Sequence, residues 1–353
     1  MGLNDSSLRM PNLADSDIRP DELMRDQADR FRSDVLRLVA HADEFVEVPC
    51  PACAGNTTMP AFDKMGFYYV RCVDCRTMFT SPRPTPAQLR TYYETSENYR
   101  YWAEYIFPAS ESVRRERIFR PRVERILRLC SEHGIETDVL VEVGPGFGTF
   151  CEEMLATQFF RKVLAIEPTP ALAESCRKRG ITVVEQPVEE VDATALPDVN
   201  VVACFEAIEH LFDPIAFVQS CYRILAPGGL LVLTCPNGEG FEVLELGVNS
   251  DTVDAEHLNY FNPSSLSQLV QRAGFATLEV STPGRLDADI VRKRAADGRW
   301  GEGRSPFLRR VLVEEWDMLG EAFQDFLASH NLSSHMWLVA RKPLVNAVAQ
   351  DTS

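Results

Sequence analysis

The chain has 353 residues, 45% hydrophobic and 25% charged, a balance that suits a globular protein with a full core. Its 36 Lys+Arg against 52 Asp+Glu give a formal charge of −16. That charge argues against a nucleic-acid substrate, because phosphate backbones are held by a basic footprint. No apolar run nears the ~20 residues of a membrane span. The N-terminus is polar and acidic without an export signal, so the ten cysteines are expected as thiols or metal ligands in the cytoplasm. Gly2 followed by Ser6 forms a short lipidation-like pattern.

Residues 1–47 read as a disordered tail of about twenty residues followed by an amphipathic helix, in which Leu23, Met24, Phe31, Val35, Leu36 and Val39 recur at helical spacing. Residues 48–82 form a separate module. They carry Cys50-Pro-Ala-Cys53 and Cys72-Val-Asp-Cys75, two short strand-like runs and the Pro-rich exit SPRPTP. Paired CxxC turns at this spacing direct four thiolates inward and predict one tetrahedral Zn²⁺. With no open position, that metal is structural and distant from any chemistry.

Residues 83–133 read as a linker and lid. The segment TYYETSENYRYW (91–102) is a loop or helix from which Tyr93 and Tyr99 are expected to touch a ring-shaped acceptor, with Trp102 as packing. A helix over 110–133 follows, and most of its arginines at 114, 115, 117, 120, 122 and 125 are expected on a solvated face.

From Val139 the pattern alternates strand and helix. Apolar strands at Val139–Val143, 163–166, 181–185, Val199–Phe205, 230–235, 277–281 and 336–340 are interleaved with helices at 149–158, 171–179, 215–224 and 264–273. Continuous apolar strands covered by helices predict a doubly wound, Rossmann-like α/β sheet over 134–343. A helical insertion at 283–333 precedes its last strand, and a tail covers 344–353. Phe307, Leu308, Val311, Leu312, Trp316, Phe323 and Phe326 of the insertion would line an apolar acceptor pocket or a homodimer face.

The run VLVEVGPGFGTF (139–150) places Gly144, Gly146 and Gly148 between a strand and a helix, where the backbone must bend sharply and approach a ligand. A dinucleotide fingerprint needs Gly or Ala where Thr149 stands. GxGxG with Glu142 two residues ahead suits S-adenosylmethionine instead. Glu167, at the end of the next strand, is placed to accept hydrogen bonds from two ribose hydroxyls.

With VEVGPGFG, AIEP, FEAIEHLFDP, LAPGGLLVLTCPN and HLNYFNPSSLSQLVQRAGF, residues 139–343 resemble the class I S-adenosylmethionine-dependent methyltransferases. The four-cysteine module resembles that of bacterial enzymes acting on deoxysugars and surface polysaccharides, among them nucleotide-sugar C-methyltransferases. The resemblance implies S-adenosylmethionine held by Glu142, Gly144, Gly146, Gly148 and Glu167, with the turn at 186–189, including Glu189, along the adenine. It implies a methyl acceptor that is a small molecule or a glycan precursor.

Methyl transfer requires an aligned acceptor and removal of its proton, a role suited to histidine. His210 ends the loop Glu206-Ala-Ile-Glu209-His210. His257 ends Asp254-Ala255-Glu256-His257, where the sugar C-methyltransferases read Tyr-His-Glu-His with the last histidine as base. Glu256 and His257 match and the first two positions differ, so both C- and O-methylation stay open. His257, Glu256 and His210 are the catalytic candidates. The competing readings are an O-methyltransferase of a quinone-like, lipid or natural-product molecule, a non-catalytic zinc-ribbon adaptor, and a nicotinamide oxidoreductase.

Overall fold

The computed structural model describes residues 13–300 and 305–344; the Gly2–Ser6 pattern, most of the C-terminal tail and four positions of the insertion lie outside them. Eleven strands are described: β1 (Thr58–Lys64), β2 (Phe67–Cys72), β3 (Met78–Thr80), β4 (Val139–Val143), β5 (Lys162–Ile166), β6 (Thr182–Val184), β7 (Val199–Phe205), β8 (Leu225–Pro236), β9 (Asn259–Tyr260), β10 (Ala276–Ser281) and β11 (His335–Arg341).

The main sheet has seven strands in the order β10-β11-β8-β7-β4-β5-β6. Strands β6, β5, β4, β7 and β8 run parallel, whereas β11 is antiparallel to both β8 and β10. The expected α/β sheet is therefore present, with one reversed strand. Every residue of β4 and β7 is buried, as continuous apolar runs require when helices cover both faces. From β4 the chain moves outward to β5 and β6, then returns to place β7 on the other side of β4. That reversal opens a crevice beyond the carboxyl ends of β4 and β7, where ligands bind in such sheets.

The segment expected to be a linker is largely part of the layered domain. Helical structure runs from Glu97 to His133, with π-helical stretches at Trp102–Ile106 and Arg115–Phe119. Val123, Ile126, Leu129 and Cys130 of its last stretch pack in one core with Leu140, Phe150, Val163 and Val201. Its arginines do not form a solvated face. Arg115 pairs with Glu111, Glu152 and Glu153, and Arg120 with Glu153. Arg122 and Arg125 are largely buried against the faces of Phe205 and Trp337. The N-terminal tail is also shorter than expected: Asp15–Ile18 is helical, and Ile18 is buried.

The cysteine module is not self-contained. Strands β1, β2 and β3 form a sheet completed by β9, with Met78 opposite Tyr260 and Phe79 opposite Asn259. Arg83, fully buried, donates to the carbonyls of Thr80, Phe212 and Leu258, joining the module to two loops of the main domain. The insertion mostly makes its own core: Val311 and Leu312 pack with Leu246, Ala288, Val291 and Trp300, and Phe307 is exposed. No helix among the described residues is long and apolar enough to cross a membrane.

Candidate active site

The glycine turn follows β4. Gly144, Gly146 and Gly148 all have positive φ, at 72°, 55° and 79°, a region that side chains with a Cβ enter at a cost. Their surroundings differ. A Cβ on Gly146 would meet nothing within 4 Å, whereas one on Gly148 would lie 2.7 Å from Ile181 Cδ1 and 3.0 Å from Cys176 Sγ. Gly146 faces open space, and Gly148 is a packing position rather than a ligand-lining one.

Glu142 is buried and accepts a hydrogen bond from the Cys151 thiol at 3.0 Å; burial pushes its pKa up to about 7. Glu167, buried at the end of β5, accepts from the Thr169 amide at 2.8 Å. Burial raises its pKa, opposed by the amides of Thr169 and Gly146.

A cavity of about 2240 Å³ begins at Glu142, Gly144 and Gly146 and extends to Glu206, His210 and His257. Neither Glu167 nor Gly148 lines it. Glu189 is exposed and also lies off the cavity wall, its backbone carbonyl accepting from Arg223.

Beyond β7, the chain turns through Glu206, a non-glycine residue with φ of 51°, the kind of strained position that clusters at functional sites. Its carboxylate receives Arg122 at 3.0 Å, the Thr234 hydroxyl at 2.5 Å and His335 Nε2 at 2.8 Å. Burial opposes ionisation of Glu206, but His335 and Arg122 outweigh it and hold the carboxyl well below the usual range.

Three residues on, Glu209 is buried and its Oε2 has no partner among the described residues. Burial, then the nearby Glu206 charge, pushes its pKa up to about 8.

The rings of His210 and His257 meet edge to face with centroids 4.7 Å apart. His210 Nδ1 lies 3.0 Å from the Glu256 carbonyl, and His257 Nδ1 lies 2.7 Å from the Thr252 carbonyl. In both rings Nδ1–H donates to the backbone, so Nε2 carries the free lone pair. Burial lowers His210 to about 3. Burial also disfavours the charged form of His257, but Asp254, with its carboxylate 3.7 Å from Nδ1, and Glu209 raise its pKa above the ordinary value.

Two candidates are placed differently from their neighbours here. Glu256, a catalytic candidate, accepts from Tyr92 at 2.7 Å and Asn98 at 3.0 Å, and the carboxylate beside the His257 ring is that of Asp254. Tyr93 does not line the cavity but stands behind His210, its hydroxyl 3.4 Å from Nδ1, whereas Tyr99 and Trp102 do line it. Of the seven insertion residues expected to line an apolar pocket, Phe326 alone lines the cavity, where it is joined by Leu286 and Ile290.

The loop carrying Asp254 and His257 is held by the cysteine module. Lys64 donates to the carbonyls of Ser250 and Val253, and Tyr69 to that of Asp254. Asn262 donates to the Cys75 carbonyl. In the module, Sγ of Cys50 and Cys75 are 3.4 Å apart and those of Cys53 and Cys72 are 3.5 Å apart; all four lie within 4.8 Å of one another.

Sequence reasoning gave no role to Arg83, Lys64 and His335, which have no local motif, and placed Arg122 on a solvated face. It noted Glu206 and Glu209 in the loop but assigned a role there to His210 alone.

Residues 113–280 match the profile of the Methyltransferase domain family. A probable S-adenosylmethionine-dependent methyltransferase of Mycolicibacterium smegmatis is 30% identical over 147 residues, covering 37% of this chain and 55% of the relative. A ubiquinone biosynthesis O-methyltransferase of Psychrobacter arcticus is 27% identical over 168 residues, covering 42% of this chain and 63% of the relative. The chain thus spans less than two thirds of the length of these two curated relatives. A solved S-adenosylmethionine-dependent methyltransferase from Clostridium acetobutylicum aligns over 69% of this chain and 99% of its own, with a TM-score of 0.45 and 9% identity.

Proposed function

We propose, on the premise that residues 113–280 are a methyltransferase domain, that this chain transfers the methyl group of S-adenosylmethionine to a hydroxyl of a small-molecule acceptor. The observation that carries this reading is the single cavity joining the glycine turn to the histidine pair. Such a space lets a donor and an acceptor meet in line, and in-line alignment is most of what the reaction needs from a protein. The open space at Gly146 accommodates the methionine part of the donor beside Glu142, and Glu167 is the carboxylate for the ribose.

Bound there, S-adenosylmethionine supplies an electrophilic methyl group on a leaving group that departs as a neutral thioether. The chain orients the acceptor against Tyr99 and Trp102, narrows its access to water, and withdraws its proton at the His210–His257 end, where Nε2 of both rings is free.

Curated relatives called ubiquinone biosynthesis O-methyltransferases favour an O-methylated small molecule. The resemblance of the cysteine module to sugar methyltransferases favours a second reading, a hydroxyl or carbon of a nucleotide-linked sugar or glycan precursor. In both readings the four thiols hold one structural Zn²⁺. Their spacing is close to the ~3.8 Å edge of a tetrahedron with Zn–S bonds of about 2.3 Å. Elemental analysis of the purified protein is expected to give one zinc per chain, and a chain without metal contradicts that assignment.

Titration calorimetry tests the donor site. Glu167→Ala removes a charged acceptor of two hydrogen bonds worth about 1.5–3 kcal/mol each, so donor affinity should fall at least roughly tenfold. Unchanged affinity would place the ribose elsewhere.

A further inference from the structure

A lone histidine base would need one imidazole with a free Nε2. The loop after β7 supplies more than that. Glu209 is 1% exposed, and its Oε2 has no hydrogen-bond partner among the described residues. A buried carboxylate oxygen left in this state is costly and is retained where something outside the chain satisfies it. Donor atoms of Glu209, His210 and His257 lie within 4.8 Å of one another. Glu206, by contrast, is partly exposed, and its Oε1 is engaged by Arg122, Thr234 and His335.

Both imidazoles are also arranged as metal-ligating histidines are. Each donates Nδ1–H to a backbone carbonyl, of Glu256 and of Thr252, which fixes the tautomer, orients the ring and directs Nε2 lone pairs to a ligand. Donors bound at about 2.0–2.2 Å from one ion stand roughly 3–4.4 Å apart.

We infer that Glu209, His210 and His257 form a binding site for a divalent transition-metal cation, with its remaining positions turned to the cavity for the acceptor's hydroxyl. The inference rests on the methyl-transfer reading and deepens it by naming how the hydroxyl is activated. Two imidazoles and one carboxylate suit Zn²⁺, Fe²⁺ or Mn²⁺, and three protein ligands leave positions for a substrate oxygen. The cation acts as a Lewis acid and lowers the pKa of the hydroxyl it binds. The proton passes to water in the cavity, and the oxygen lone pair forms the O–CH₃ bond. The electron pair of the breaking S–CH₃ bond returns to sulfur, and the cation keeps its charge throughout. A hydroxyl offers such a site a lone pair that a carbon acid lacks, so the site selects O-methylation.

The test uses the full chain with its cysteine cluster as purified. Mn²⁺ is the probe because it favours hard donors such as carboxylate over thiolates, and free Mn²⁺ is followed by electron paramagnetic resonance. One Mn²⁺ per chain is expected. In both Glu209→Gln and His257→Ala, Mn²⁺ affinity should fall by more than about 100-fold, while calorimetry shows wild-type affinity for S-adenosylmethionine. A variant that loses donor binding is replaced by His210→Gln, for which the same loss of Mn²⁺ is expected. Mn²⁺, Zn²⁺ and Co²⁺ all failing to bind at this site in wild type, or Mn²⁺ binding equally in the variants, overturns the cation site. Failure of wild-type protein to bind S-adenosylmethionine overturns the methyltransferase reading instead, whatever Mn²⁺ does.

Discussion

The two ends of the cavity are built in opposite ways. The donor end is local: a run of residues from Glu142 to Thr149 makes a strand end, a turn with three positive-φ glycines and the start of a helix. The acceptor end is assembled from distant segments. Tyr92 and Asn98 hold Glu256, the Glu256 and Thr252 carbonyls orient the two rings, and His335 from the last strand holds Glu206. In the proposed reading the donor end rests on local backbone geometry, whereas the acceptor end depends on how four parts of the chain meet. Backbone geometry carries the first, and side-chain hydrogen bonds carry the second.

That contrast is sharpest in turnover. In the proposed reading His257→Ala strikes the acceptor end alone, so kcat for methyl transfer should fall by roughly 10²–10⁴, with donor affinity near wild type. Loss of donor affinity in parallel with kcat would show that the two ends are not separable.

A smaller effect divides the donor end itself. Gly148→Ala places a methyl 2.7 Å from Ile181 Cδ1 at a positive φ and should cost about 1–3 kcal/mol of stability, read as a drop in Tm, with donor affinity retained once folded. Gly146→Ala meets open space, so its loss of stability should be limited to the ~1–2 kcal/mol of the left-handed backbone. Donor affinity should fall in this variant, because the methyl enters the cavity. Equal donor affinities in the two variants would remove the distinction between a packing glycine and a lining one.

The same division decides what could be read in the sequence. Period and composition reveal the buried strands β4, β5 and β7, the glycine turn and the paired cysteines, because each is set by neighbours along the chain. The helical stretch from Glu97 to His133 was only partly visible, since its π-helical stretches shift the 3.6-residue register that marks an amphipathic helix. Strand β9 is two residues long and pairs with Met78 and Phe79, about 180 positions earlier. No local pattern announces such a strand.

Arginines 122 and 125 looked like a solvated stripe. Their burial is explained by Phe205 and Trp337, which cover the two guanidinium groups, and by the carboxylates of Glu206 and Glu279. Glu256 was a catalytic candidate beside His257, yet the loop turns its side chain to Tyr92. Adjacency in sequence gives no direction to a side chain in a turn.

In the proposed reading the methionine part of the donor lies in the cavity at the glycine turn, its ribose reaches Glu167 off the cavity wall, and its reactive end faces Glu209, His210 and His257. A crystal structure with S-adenosylhomocysteine, the demethylated donor, tests it most directly. Ribose hydroxyls are expected within hydrogen-bond distance of Glu167, the amino-acid part beside Gly144 and Gly146, and the sulfur directed toward the histidine pair. A ligand bound away from the glycine turn, or one whose sulfur faces away from His210 and His257, would contradict it.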